Sequence, residues 1–386
     1  MRQRLEVIKR NCKQIGQYFL ILMGLTSYWY DHKSAHFKRN LLTRLVFVAV
    51  NVAGIVFLIY ENKHALRVFT LKDINPIMRY MGTSRFFFVI LPPMYTFGQI
   101  CLFDGKFMEI KRKLQSFELK CLGKFLRCKQ IERNVAYIYL FKCVTIAFMF
   151  FITVFLYTNF FATWLPSTIL YLNIIYLSKF WTFYYFHVMA KLYRLFYYID
   201  NQIQEMAQNV QSPQGLNRKI EHHAYMEIFW IRQQHFGLCR ILDELQTMFK
   251  WQIFLNRLVS FNTIGMHVYY TIFNTSKFDI GTIIIYDVAD YVPSILDFYL
   301  TDNLCHLTKN CFRDLQESLS EFNGMDQQQH SRLNRECDVF SLYLHCRKLN
   351  FELSGPLSMN RRTWFVMMTA MVSCIIIFSQ AHISAE

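Results

Sequence analysis

The eleven cysteines of this chain form no Cys-x-x-Cys pair and share no repeated spacing. That absence argues against a zinc ribbon and a thioredoxin-type redox centre. There is no Walker motif, no Gly-x-Ser-x-Gly and no His-Glu-x-x-His. A phosphate-cradling loop, a serine-hydrolase elbow and a zinc protease helix are therefore not expected. Cys337, His345 and Cys346 lack a fourth ligand at zinc-site spacing. Glu221, His222, His223 and Glu227 sit in a basic stretch and read as a solvated helix face. Neither enzyme chemistry nor a cofactor or metal is called for. No repeat of fixed period is present. Acidic residues are few, 27 against 42 Lys and Arg, for a formal charge of +15. A basic, aromatic-rich chain suits nucleic acid when its cations share a soluble face. Here they flank apolar stretches, which sets a nucleic-acid partner aside.

Of the 386 residues, 53% are hydrophobic, 17% are aromatic and 38 are Phe. The mean hydropathy of +0.16 is modest, so clustering decides the class. A helix needs about 20 mainly apolar residues to cross the hydrocarbon core of a bilayer. Seven stretches qualify: 41–60, 80–103, 137–160, 164–189, 251–273, 280–300 and 363–382. The expected fold is all-α, a polytopic membrane protein with seven transmembrane helices. Pro92 and Pro93 fall inside the second span and should kink it, because each removes a backbone donor. The connections 104–136, 190–250 and 301–362 are long and charged. Pro213 and Gly215 place a loop at 208–218, with the fourth and fifth helices continuing out of the membrane on either side. Residues 15–30 are a shorter apolar patch behind Arg2, Arg4, Lys9 and Arg10. No signal-peptidase site follows, so the patch reads as an interfacial helix.

Charge sets the expected orientation. The segments 1–40, 104–136, 190–250 and 301–362 lie on one side of seven crossings and hold 32 Lys and Arg, against five on the other. Cytoplasmic segments carry that excess, so the N-terminus is expected inside and the C-terminus outside. The sequon at Asn274 then falls in an outer loop. A G-protein-coupled receptor has the opposite orientation. The outer loops carry no cysteine for its usual staple, and its Asp-Arg-Tyr and Asn-Pro-x-x-Tyr motifs are missing.

Charges inside the spans mark either ion pairs or a site. Asp287, Asp290 and Asp297 fall within about 80° of one another at 100° per residue, opposite a lipid-compatible stripe. Lys179 should lie at the depth of Asp290, and Arg257 near that of Asp297. Both structural pairing and a ligand cavity open to the outside fit. In the last span Ser373, Ile377 and Gln380 recur at i, i+4, i+7 and share one face. An interhelical hydrogen bond and a pore-facing amide are the two readings of Gln380.

The last span also carries a resemblance. Insect gustatory receptors end in Thr-Tyr, five apolar residues and Gln-Phe. The matching stretch here is Ser373-Cys374-Ile375-Ile376-Ile377-Phe378-Ser379-Gln380-Ala381. Gln380 and most of the apolar run fit. Ser373 stands for Thr, while Cys374 for Tyr and Ala381 for Phe depart from the pattern. Phe351-Glu352-Leu353-Ser354-Gly355-Pro356-Leu357-Ser358-Met359-Asn360 looks like the family's lead-in to that helix. The layout of the whole chain agrees.

The resemblance implies a ligand-gated cation channel, similar to the odorant receptors, that assembles as a homo- or heterotetramer with related subunits. Residues 1–40 are then a cytoplasmic segment. Residues 41–300 hold six transmembrane helices with cytoplasmic loops at 104–136 and 190–250. Residues 301–362 form a helical cytoplasmic anchor. Residues 363–386 supply the pore-lining helix and a short extracellular tail. Ile377 contributes to an apolar gate, Gln380 to a polar ring beside it, and Ser373 shares their face. A small-molecule tastant enters among helices two to six, within reach of Tyr171, Tyr176, Tyr270, Tyr286, Asp287 and Asp290. The expected setting is the plasma membrane of sensory neuron dendrites, with the lipid bilayer and permeant cations as the other partners. An odorant receptor, a G-protein-coupled receptor and a polytopic transporter or enzyme remain as alternatives.

Overall fold

Among the described residues all seven apolar stretches fold as helices, and each helix outruns its stretch. The computed structural model describes residues 18, 20–31, 36–38, 40–69, 76–122, 129–161, 165–211, 218–273, 280–320, 331–347, 351–354, 357–359 and 361–383. Helices α1 (Leu41–Phe69), α2 (Pro76–Leu122), α3 (Lys129–Phe161), α4 (Leu165–Gln211), α5 (Arg218–Phe273) and α6 (Ile280–Ser320) come first. The shorter α7 (Ser331–Cys346) precedes α8 (Arg361–Ile383). Strands β1 (Trp29–Asp31) and β2 (His36–Lys38) form one antiparallel ribbon. β3 (Glu352–Ser354) and β4 (Leu357–Ser358) form another just before α8.

The segment 104–136 is mostly helix rather than loop. α2 runs on to Leu122, and α3 begins at Lys129. The 190–250 segment is likewise helical up to Gln211 and from Arg218 onward; Pro213 and Gly215, expected to break it, lie outside the described residues. α2 is assigned as one unbroken helix through Pro92 and Pro93. Both prolines are buried, and Thr96 donates its hydroxyl to the Pro92 carbonyl at 2.7 Å.

The patch at 15–30 is not a single helix. Its described part is helical at 20–22 and stops at Gly24, whose φ is +62°. The amides of Gly24 and Leu25 bond back to the carbonyls of Ile21 and Leu20, at 2.9 and 2.8 Å. This is the paired-bond stop that a left-handed residue after a helix makes. A Cβ at Gly24 would lie 2.9 Å from Asn51 Nδ2, and that amide donates to the Gly24 carbonyl at 2.7 Å. Thr26, Ser27 and Tyr28 then run buried. Ser27 donates to Asp104 at 3.1 Å, and Lys111 donates to the Tyr28 hydroxyl at 2.9 Å. The segment therefore packs on α2 rather than lying apart from the bundle.

α4 is the hub. It packs against α1, α2, α3, α5 and α6, and none of residues 170–203 is exposed. The exposed apolar side chains lie elsewhere, among them Leu41, Val56 and Tyr60 on α1 and Tyr137, Leu140, Val144 and Phe151 on α3. Among the described residues, three stretches are long and apolar enough to cross a membrane on composition alone: Leu41–Lys63, Phe86–Cys121 and Lys129–Phe155, with a shorter one at Arg362–Ile377. α4, α5 and α6 are less apolar because they bury polar side chains against one another. Beyond the spans, the long helices continue into a second bundle completed by α7. There Phe340 and Cys337 are fully buried. Arg232 on α5 meets Glu336 on α7 at 2.8 Å, and Arg347 pairs with Asp243.

Candidate functional site

α8 docks by one face only. Trp364 meets the Tyr299 ring of α6 at 5.3 Å. Met371 is buried against Ile264 of α5, with Met368 and Ile375 beside it. These residues recur at i, i+4, i+7, i+11. The opposite face is open: Phe365, Val366, Val372, Ile376 and Ile377 are all more than half exposed. Ser373 and Gln380 are exposed on that face too. Ser373 turns its hydroxyl back to the Thr369 carbonyl at 3.0 Å. The three residues singled out from their spacing thus share one exposed face of α8.

The interior of the bundle is polar where α3, α4, α5 and α6 meet. Lys142 on α3 is 2% exposed and lies 2.5 Å from Asp297 Oδ1 of α6. It also donates to the Asp297 carbonyl at 2.7 Å and to Thr301 at 2.9 Å. Arg257 on α5 pairs with Asp302, not with Asp297 as their expected depths suggested. The reason is one of partners: Asp297 faces α3 and is held by Lys142, while Asp302 lies further along α6, toward α5. Lys179 sits over the Phe298 ring at 5.3 Å. The side chain of Asp290, its expected neighbour, lies outside the described residues. Ser178, Gln252 and Asn256 form a hydrogen-bonded set at 2.5–3.2 Å between α4 and α5. Gln99 on α2 accepts from the Trp181 indole at 2.9 Å.

Sequence reasoning passed over Lys142 and Asp302. The signal for Lys142 was present, since it is the one charge in the third span and intramembrane charges are rare unless paired.

Of the ligand candidates, Tyr171 is half-buried and Tyr176 is buried, both on α4. Tyr176 shares a 2.9 Å hydrogen bond with Thr153 of α3 and meets the Phe150 ring edge-on at 5.3 Å. The side chains of Tyr270, Tyr286, Asp287 and Asp290 lie outside the described residues, as does the sequon at Asn274. Between Tyr171 and Tyr176 lies a residue that spacing did not flag. Asn173 is 2% exposed, and among the described residues neither its amide nitrogen nor its oxygen has a hydrogen-bond partner. His223 is largely exposed, 3.4 Å from Glu227. Among the described residues no three His, Cys, Asp or Glu side chains gather as metal ligands.

The lead-in to α8 is held to the core. The Met359 amide bonds the Phe351 carbonyl at 2.7 Å, and both side chains are buried. The Tyr185 hydroxyl of α4 lies 3.9 Å from Met359 Sδ and 3.7 Å from Cys305 Sγ of α6.

The fold is that of a polytopic seven-helix membrane protein whose last helix presents an exposed, mixed polar and apolar face. The family described as 7tm chemosensory receptor matches residues 16–385, and the chain belongs to it. Among solved structures, the chain is similar to the insect olfactory receptor OR5 from Machilis hrabei. The TM-score is 0.65 at 12% identity, over 97% of this chain and 98% of that one. The same receptor in complex with eugenol gives a TM-score of 0.69 at 11% identity over the same shares. At such identity the likeness is one of fold, that of a polytopic seven-helix membrane protein. No curated protein matches the chain in sequence.

Proposed function

We propose that this chain is a subunit of a ligand-gated, non-selective cation channel that detects a small-molecule tastant at the plasma membrane of sensory neurons. The observation that carries the reading is the geometry of α8. It rests on α5 and α6 by one face and leaves Ser373, Ile377 and Gln380 on the other. Four copies, alike or mixed with related subunits, assemble with that face around a common axis. The apolar Ile377 forms the gate and the Gln380 amide hydrates passing ions. The N-terminus is cytoplasmic, the C-terminus extracellular, and the second bundle with α7 is the cytoplasmic anchor that joins subunits. The tastant binds in the outer half, with Tyr171, Asn173 and Tyr176 of α4 and Tyr270, Tyr286, Asp287 and Asp290 as the candidate contacts. It opens the channel by its preference for the open arrangement.

Whole-cell recording from cells expressing the chain, with and without related subunits and across a tastant panel, tests this reading. Replacing Gln380 or Ile377 should change conductance or ion selectivity of the evoked current. If an established current is indifferent to both, α8 does not line the pore. An odorant rather than a tastant is the second reading, and the two olfactory receptor structures of like fold favour it. Swapping the panel for volatile ligands, eugenol among them, decides between the two.

A further inference from the structure

The open face of α8 does not end at the residues assigned to the gate. At 100° and 1.5 Å per residue, Gln380 lies directly in line with Arg362, about five turns and about 27 Å away. Thr369 and Ser373 fall within about 20° of that line. Arg362, Thr369, Ser373 and Gln380 are all exposed. The docked residues Trp364, Met368, Met371 and Ile375 occupy the far side. Arg362 makes no hydrogen bond or ion pair among the described residues. Its helix carries no acid in the first turn, and the sequence places Arg361 next to it. The positive end of the helix dipole adds to the same potential.

We infer that Arg362 sets the permeation behaviour of the inner mouth, as a positive ring in register with Gln380 on the opposite side of the membrane. This rests on the pore reading and on the cytoplasmic placing of the start of α8. A unit charge about 7 Å from the ion path changes the local concentration of a monovalent cation by about threefold in unscreened water, and by less at physiological salt. Four such charges at the cytoplasmic entrance deplete cations there. Outward current is limited more than inward current, and the channel rectifies inwardly.

The experiment measures the ratio of outward to inward current at matched positive and negative voltages, in cells whose surface expression is quantified by biotinylation. Arg362→Lys should keep the wild-type ratio. Arg362→Gln should raise outward current on the order of twofold, and Arg362→Glu should raise it further. If Arg362→Glu fails to reach the surface, the comparison of Lys with Gln carries the test. The inference is overturned if the ratio is the same in all surviving variants while Gln380 and Ile377 substitutions alter selectivity. If those two substitutions are silent as well, the pore reading fails first.

Discussion

Lys142 shows how a single buried charge depends on its partner. Its ammonium is enclosed by Asp297, the Asp297 carbonyl, Thr301 and the Phe186 ring at 4.9 Å. Removing one member of such a pair leaves the other desolvated and uncompensated, which costs about 3–5 kcal/mol. Lys142→Met should therefore lower the thermal stability of the purified protein strongly. A second change, Asp297→Asn, should recover much of the loss, and a thermal melt in lipid nanodiscs reads both. Asn173 argues in the opposite direction. An amide buried without partners costs about 1–3 kcal/mol, and an apolar replacement of similar shape removes that cost. Asn173→Leu should stabilise the unliganded protein by about that amount. If the ligand supplies the missing hydrogen bonds, the same change should also raise the concentration needed for half-maximal current. Stabilisation with an unaltered dose–response would take Asn173 out of the ligand site. Neither residue's role was legible from spacing. A lone polar residue on an apolar helix has the same sequence signature whether it is paired, orphaned or facing a ligand.

At the scale of elements, the second bundle is built around His235 of α5. Its ring lies against Phe196, Phe312 and Phe340 at 5.1–5.4 Å, from α4, α6 and α7 in turn. Cys239 Sγ is 3.6 Å from its Nδ1. Burial, and then the charge of Arg347, push its pKa down from 6.5 to about 3. The folded bundle holds a neutral imidazole, and only the unfolded chain takes up a proton just below pH 6.5. The stability from this site is complete above about pH 6.5. It falls by about 1.4 kcal/mol for each unit of acidification until the folded pKa near 3 is reached. Chemical or thermal unfolding followed at stepped pH should show that slope, and His235→Phe should flatten it. Element boundaries were legible where apolar length or a breaker marked them. All seven spans lie within helices, apart from Trp164, which lies outside the described residues. The helical continuation of 104–122 was not legible, because charged helix and charged loop share a composition. The stop at Gly24 was readable in principle. It needed attention to one glycine inside an apolar run rather than to the run's average.

For the whole molecule, the proposed orientation rests on charge and the proposed assembly on the open face of α8. Epitope tags should be inaccessible in intact cells at the N-terminus and accessible at the C-terminus. Purified particles should have about four times the 46.4 kDa mass of one chain. An exposed N-terminal tag would invert the whole arrangement, and a monomeric particle would leave α8 without a shared axis. By itself the sequence determined the number of crossings, the charge asymmetry across the membrane and the helical register of Ser373, Ile377 and Gln380. Each of these follows from periodicity and local composition, which are properties of contiguous residues. Only the tertiary structure decided that α4 is the hub, that Asp297 belongs to Lys142 and Arg257 to Asp302, and that α8 covers one face and bares the other. Those outcomes depend on which distant side chains meet when helices pack, and desolvation leaves a buried charge few partners to choose from.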